Sequence, residues 1–214
     1  MNYLKIDKED VCNGEGLRVV LWLSGCSHRC NGCQNPQTWD ANSGIPFDKS
    51  AKEELFRELD KDYISGLTLT GGDPLFESNL DGVLDLVTEV NKRYNTVQYT
   101  DENAQENHNM LNINANEIRL SKTEKSIWIY TGYEWENTMD YVSAETDDFD
   151  YIEEAYIDGI YENRKKIISQ CDVLVDGQYI DLQRDITLPF RGSSNQRIIN
   201  VKESLKEGEI VLWK

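Results

Sequence analysis

Three cysteines, Cys26, Cys30 and Cys33, form a Cys-x3-Cys-x2-Cys array on one short stretch, Gly25-Cys26-Ser27-His28-Arg29-Cys30-Asn31-Gly32-Cys33-Gln34-Asn35. Thiolates are soft, anionic ligands suited to transition metals. Three of them on so short a loop can hold a metal centre and leave one coordination position without a protein ligand, and chemistry can occur at that position. A structural zinc site usually has four ligands. Cys12 and His28 are nominally available as a fourth, Cys171 is far away in the chain, and a second Cys-x2-Cys hairpin is absent. Spacing alone therefore leaves an iron-sulfur cluster, a zinc site and unrelated cysteines all open. Cys12 and Cys171 read most simply as small buried residues. His28 lies between two of the cysteines and reads as a surface or cluster-shell residue, not a catalytic one.

The surrounding elements must position that loop. It follows an apolar, β-rich run, Leu17 to Leu23, of the kind found in buried parallel strands. Further strands are expected at Gly66 to Thr70, Ile127 to Thr131 and Asp172 to Asp176. A helix is expected from about Asp48 to Leu59, capped by Asp48 or Ser50, and another where Leu80, Val83, Leu84, Val87 and Val90 fall at spacings of three and four. Alternating strands and helices predict an α/β fold with a mostly parallel sheet or barrel.

In such folds sites gather beyond the carboxyl ends of the strands. Here those ends are Ser24-Gly25-Cys26, Gly71-Gly72-Asp73-Pro74, Gly132-Tyr133 and Gly177-Gln178-Tyr179. Glycine there lets backbone groups approach a small ligand closely.

Two polar segments interrupt the alternation. Residues 95–126 are rich in Asn, Gln, Glu and Asp and suggest a surface excursion, with a short hairpin around Thr96 to Thr100. Residues 140–163 carry a run of acids and tyrosines that reads as a solvated face or a docking surface. The chain is read as a single domain over 1–214.

Composition excludes several classes. The 39 acidic residues against 22 basic ones give a net charge of -17, which argues against nucleic-acid or anionic-membrane binding. No apolar run approaches the roughly 20 residues needed to cross a bilayer, and the N-terminus has no signal-peptide core. An odd count of five cysteines, three of them crowded together, suits metal binding in a reducing compartment, so a cytoplasmic protein is expected. Gly71-Gly72-Asp73-Pro74 lacks the lysine and hydroxyl of a phosphate loop, and Gly14-Glu15-Gly16 precedes a strand instead of following one.

Taken together, a Cys-x3-Cys-x2-Cys array after one strand and Gly-Gly-Asp-Pro after the next resemble the radical S-adenosylmethionine superfamily. More closely, the chain resembles the anaerobic ribonucleoside-triphosphate reductase activating proteins. The stretches that carry this are Asn13 to Arg18, Gly25 to Asn35, Thr38-Trp39, Leu69 to Leu75, Trp128 to Tyr133, Asp172 to Gly177 and Phe190 to Arg197, in family order.

The resemblance implies an incomplete parallel barrel of the (β/α)6 type. It implies that Cys26, Cys30 and Cys33 hold three irons of a 4Fe-4S cluster and that S-adenosylmethionine chelates the fourth. Gly71 and Gly72 would lie along the methionine moiety, with Asp73 accepting from its amino group, and Gly32, Cys33 and Gln34 would run beside the adenine. Many relatives carry an aromatic residue where this chain has Gln34. Thr131 and Asp176 end strands where related enzymes place ribose or cation contacts.

The implied reaction takes one electron from a flavodoxin-like donor and cleaves S-adenosylmethionine to a 5'-deoxyadenosyl radical. It ends with a glycyl radical on the large subunit of the anaerobic reductase. The cofactor carries that chemistry, and no side chain is expected to act as acid or base. The alternatives are activation of another glycyl-radical enzyme, of the formate-lyase type, and a zinc-stabilised interaction module. The stretch Arg191 to Arg197 is expected to bind a partner or ligand, or to tie down a C-terminal strand.

Overall fold

The computed structural model describes residues 1–95, 124–140 and 151–214. Among them the order is β1 (Asn2–Asp10), β2 (Arg18–Leu23), β3 (Ile45–Pro46), α1 (Lys49–Leu59), β4 (Gly66–Gly71), α2 (Leu80–Val90), β5 (Ser126–Tyr130), α3 (Trp135–Met139), α4 (Tyr151–Ile168), β6 (Val173–Asp176), β7 (Arg197–Asn200) and α5 (Val201–Glu207). The strands form one mixed sheet in the order β3-β1-β2-β4-β5-β6-β7. The four central strands, β2, β4, β5 and β6, are parallel and are the four expected from their apolar runs.

Both flanks correct the expectation of a mostly parallel sheet. β1 and β3 are antiparallel additions on one side and β7 on the other. The sheet is not closed: β3 and β7 are its two edges among the described residues. β1 escapes a pattern reading because an outer strand, mostly half-buried, carries the exposed Lys5, Lys8 and Glu9 without cost.

Alternation sorts the strand residues onto two faces. Val19, Leu21 and Leu23 of β2, Leu67 and Leu69 of β4 and Ile127 and Ile129 of β5 join the main core, into which α1 and α2 send Leu55, Leu59, Val83 and Val87. Asp48 caps α1, its side chain accepting from the Ala51 amide at 3.0 Å. Ile167 and Ile168 at the end of α4 are fully buried in the same core. So α4 begins inside the segment read from sequence as a solvated acidic run. On the opposite face Trp128, Val173 and Val175 form a smaller cluster with Phe190, Ile198 and Trp213 packed against it.

Arg18 seals the amino ends of the parallel strands. It is fully buried and donates to Thr68 Oγ1, to the Leu67 and Ser126 carbonyls, to Ser126 Oγ and to the Glu15 carbonyl. These neutral acceptors spread its charge, while burial pulls the guanidinium down to about 10. At the same end Gly66 has no room for a side chain, because a Cβ would overlap the Ser126 backbone. Among the described residues no helix is long and apolar enough to cross a membrane. The hairpin expected around Thr96 to Thr100 and the acids Glu145 to Asp150 lie outside the described residues.

Candidate functional site

At the carboxyl ends of the parallel strands the loops enclose a cavity of about 530 Å³. That is within the size range of small-molecule sites. The cysteine loop forms one wall. It is turned by Arg29, whose φ of 47° lies in the left-handed region that non-glycine residues rarely enter, and by Gly32 at 74°. Backbone bonds from the Gly25 and Cys26 amides to the Thr38 and Trp39 carbonyls, at 2.7 and 3.1 Å, anchor the start of the loop. The Thr38 hydroxyl then reaches the Gly71 carbonyl at 2.9 Å and joins this wall to the end of β4.

Cys26, Cys30 and Cys33 all line the cavity and are half-buried. Burial, reinforced by the Asp73 carboxylate, pushes the Cys26 thiol up to about 11, and burial also raises Cys30. Binding a metal centre as thiolates would therefore release protons. The Asn35 amide points at Cys33 Sγ at 3.4 Å, a bond of the kind that tunes a sulfur ligand. Among the described residues no three His, Cys, Asp or Glu side chains converge closely enough to hold a single metal ion.

Gln34, Gly71, Gly72, Asp73 and Thr131 line the same cavity. The second glycine serves the loops directly, since a Cβ on Gly72 would overlap the Gly25 carbonyl. The Gly72 and Asp73 amides bond to the Leu23 and Gly25 carbonyls at 2.8 and 2.7 Å, fusing the ends of β2 and β4.

Asp73 is almost fully buried, and its carboxylate gathers several donors. Oδ1 accepts from the Leu75 amide at 2.8 Å, and Oδ2 from the Gly132 amide and His28 Nε2, both at 2.9 Å. The Thr131 hydroxyl sits 2.9 Å from both oxygens. Thr131, expected to contact a ligand, thus spends its proton on Asp73. Asn79, not singled out from the sequence, supports this turn from behind. It is buried, and its amide donates to the Ser24 and Asp73 carbonyls at 2.8 and 3.0 Å.

Two expected site residues do not line the cavity. Gly32 packs against Asp181, and a Cβ there would lie 2.7 Å from its Oδ1. Asp176 is buried at the end of β6, where Oδ2 caps α3 through the Trp135 amide at 2.9 Å and the carboxylate is ion-paired with Arg197. Its partner lies opposite it across β6 and β7, so the pair is a cross-strand contact. Cys12 is exposed, contrary to the buried residue expected, and Cys171 is buried with its thiol donating to the Ile167 carbonyl.

The stretch Arg191 to Arg197 divides between the two roles considered for it. Arg197 ties β7 to Asp176 and Glu136, while Gln196 fastens the preceding turn to the Gly177 carbonyl at 3.0 Å. Arg191 lines the cavity, and its Nε has no hydrogen-bond partner among the described residues.

Arg197 donates to both oxygens of Glu136 at 2.8 and 2.7 Å and holds that carboxyl at about 2, below its ordinary 4.5. A depressed folded-state value stabilises the fold above the unfolded value, and the contribution is lost as pH falls through the folded value. Glu136→Gln is therefore expected to flatten the acid limb of the melting curve between pH 4.5 and about 2. At neutral pH the half-exposed pair is worth less than about 1 kcal/mol. Circular-dichroism melts across that range check this, and an unchanged acid limb would refute it.

The family comparison agrees with this geometry. Residues 12–112 and 102–199 match a family model described as a 4Fe-4S single cluster domain. A protein of Enterobacteria phage T4 named anaerobic ribonucleoside-triphosphate reductase-activating protein is 34% identical over 92% of this chain and 93% of its own length. The chain belongs to this family of reductase-activating proteins. Members with the same name from Haemophilus influenzae and Escherichia coli K12 are 30% and 29% identical, each over 94% of this chain and 99% and 100% of their own lengths. The three cysteines and the Gly71-Gly72-Asp73 turn line one cavity, on adjoining loops.

Proposed function

We propose that this chain is a radical S-adenosylmethionine enzyme that installs a glycyl radical on the anaerobic ribonucleoside-triphosphate reductase. The observation that carries the reading is the shared cavity, with three thiols on one wall and the Gly71-Gly72-Asp73 turn on the next. Cys26, Cys30 and Cys33 would hold three irons of a 4Fe-4S cluster, and three thiolates on one loop are a donor set suited to it. When bound, the cluster and S-adenosylmethionine supply the one-electron cleavage that ends in hydrogen abstraction from a partner glycine.

The chain's own residues position and shield. Gly71 and Gly72 offer backbone groups to the methionine end, and Gln34 meets the adenine at the cavity's exposed lip. Asp73 and Thr131 hold the β4 and β5 loop ends in register around the ligand. Gly32 and Asp176 contribute by packing the surrounding loops. Tyr130 Oη and Arg191 Nε are buried on the cavity wall without hydrogen-bond partners among the described residues. Unpaired buried polar groups are costly, so both fit a polar ligand or an entering peptide segment.

The open sheet is read as the incomplete (β/α)6-type barrel of the superfamily in a single domain. The reductase large subunit is the partner, a flavodoxin-like protein the electron donor and the cytoplasm the site of action.

The test is anaerobic reconstitution with iron and sulfide, followed by electron paramagnetic resonance of the reduced protein with and without S-adenosylmethionine. A reduced-cluster signal that shifts on adding the cofactor, and a glycyl radical on added reductase, are expected. One bound zinc, no iron and no cofactor-dependent signal would overturn the reading.

A further inference from the structure

His28 lies between two of the cysteines, yet its side chain is only 9% exposed and touches each of the other strand-end loops. Nε2 donates to Asp73 Oδ2 at 2.9 Å in the loop after β4. The Gln178 amide nitrogen, in the loop after β6, lies 2.9 Å from Nδ1, which places the imidazole proton on Nε2. The ring also packs edge-on against Tyr133 in the loop after β5, with centroids 4.5 Å apart. Gly132 beside it needs no unusual backbone angle, but a Cβ there would overlap the imidazole. One side chain thus joins four loops, and a residue without a side chain makes room for it.

We propose that His28 is a positioning residue, a latch that docks the cysteine loop onto Asp73 and Gln178 and so presets its three thiols. The role takes its purpose from the cluster reading above, while the latch itself belongs to the metal-free chain. Elsewhere between Cys26 and Cys33 the loop is tied more loosely, by Ser27 Oγ at 3.4 Å from Tyr133 Oη and by the Tyr179 amide at the Cys30 sulfur. It is turned at Arg29 through the left-handed region, and the Cys33 amide bonds back only to the Cys30 carbonyl at 3.2 Å. Without a tie at its middle, a loop so strained is free to relax, and ligands set by their surroundings bind metal better than ligands that must be ordered.

The experiment compares wild type, His28→Ala, His28→Gln, Gly132→Ala and the double variant His28→Ala/Gly132→Ala as metal-free full-length chains. Hydrogen–deuterium exchange is read over residues 24–35 and, as a control on folding, over the parallel strands. Removing a bond to a charged group is expected to speed loop exchange between about tenfold and a hundredfold in His28→Ala while leaving the strands unchanged. Glutamine retains an N–H donor for Asp73 and is expected to recover most of the protection. Gly132→Ala is expected to dislodge the ring and match His28→Ala, with no added effect in the double variant.

After iron and sulfide are added, the reduced-cluster resonance is expected to be weaker and broader in His28→Ala and restored in His28→Gln. Equal loop exchange in all five proteins, or glutamine no better than alanine, overturns the latch and leaves the cluster reading intact. The graded exchange pattern in a protein that takes zinc and no iron supports the latch and overturns the cluster reading.

Discussion

Alanine at Cys26, Cys30 or Cys33 is expected to abolish stable iron binding and to lower glycyl-radical formation on the reductase by more than about a hundredfold. Loss of even an outer-shell partner commonly costs 10- to 100-fold at metal sites. A direct ligand should cost at least as much, and none of the remaining cysteines is placed to substitute. Cys171 is buried in the main core, its thiol donates to the Ile167 carbonyl, and burial raises its pKa. Cys12 lines the same cavity but stands on the loop between β1 and β2, at the opposite end of β2 from the three-cysteine loop. Cys171→Ala is the control. It should keep its iron and lose about 1–2 kcal/mol of stability by removing a buried sulfur. Iron per chain and the reduced-cluster resonance decide the matter, and full iron loading in any of the three loop variants would remove that cysteine from the ligand set.

Asp73→Ala is expected to destabilise the metal-free protein by about 3–5 kcal/mol, a fall in melting temperature on the order of 10 °C. The carboxylate is 1% exposed and meets the Leu75 and Gly132 amides, the Thr131 hydroxyl and His28. Removing it strands those donors where water reaches them poorly, and an unsatisfied buried donor costs more than a bond gains. Asp73→Asn should recover little, because its amide group would point two hydrogens at converging donors. Thermal melts of wild type and both variants test this. A drop of less than about 3 °C for alanine, or near-wild-type behaviour for asparagine, would show that the carboxylate is not what holds the loops.

The elements that read correctly from sequence are those whose periodicity reports burial. Val19, Leu21 and Leu23 face the helices, so β2 had to be apolar, and the same holds for β4, β5 and β6. The spacing of Leu80, Val83, Val87 and Val90 marks α2 for the same reason. β1 and α4 read poorly because each shows solvent much of its length, where charged residues are free to stand.

Residue type and spacing were enough to expect Cys26, Cys30, Cys33, Gly71 and Gly72 at neighbouring strand ends, and all five line one cavity. Thiols and strand-end glycines are chemically narrow choices, and β4 lies directly beside β2. What Asp73, Thr131 and Asp176 do was not legible. An acid or hydroxyl at a strand end looks the same whether it faces a ligand or a neighbouring loop. Only the packed loops show Asp73 and Thr131 bonded to each other and Asp176 claimed by Trp135 and Arg197. His28 shows the same limit from the other side. Read along the chain it is a loop residue beside the cysteines, and its partners Asp73, Gly132 and Gln178 are 45, 104 and 150 positions away. Local chemistry and period are written in neighbouring residues, whereas a hydrogen bond between loops exists only once the parallel strands have brought those loops together.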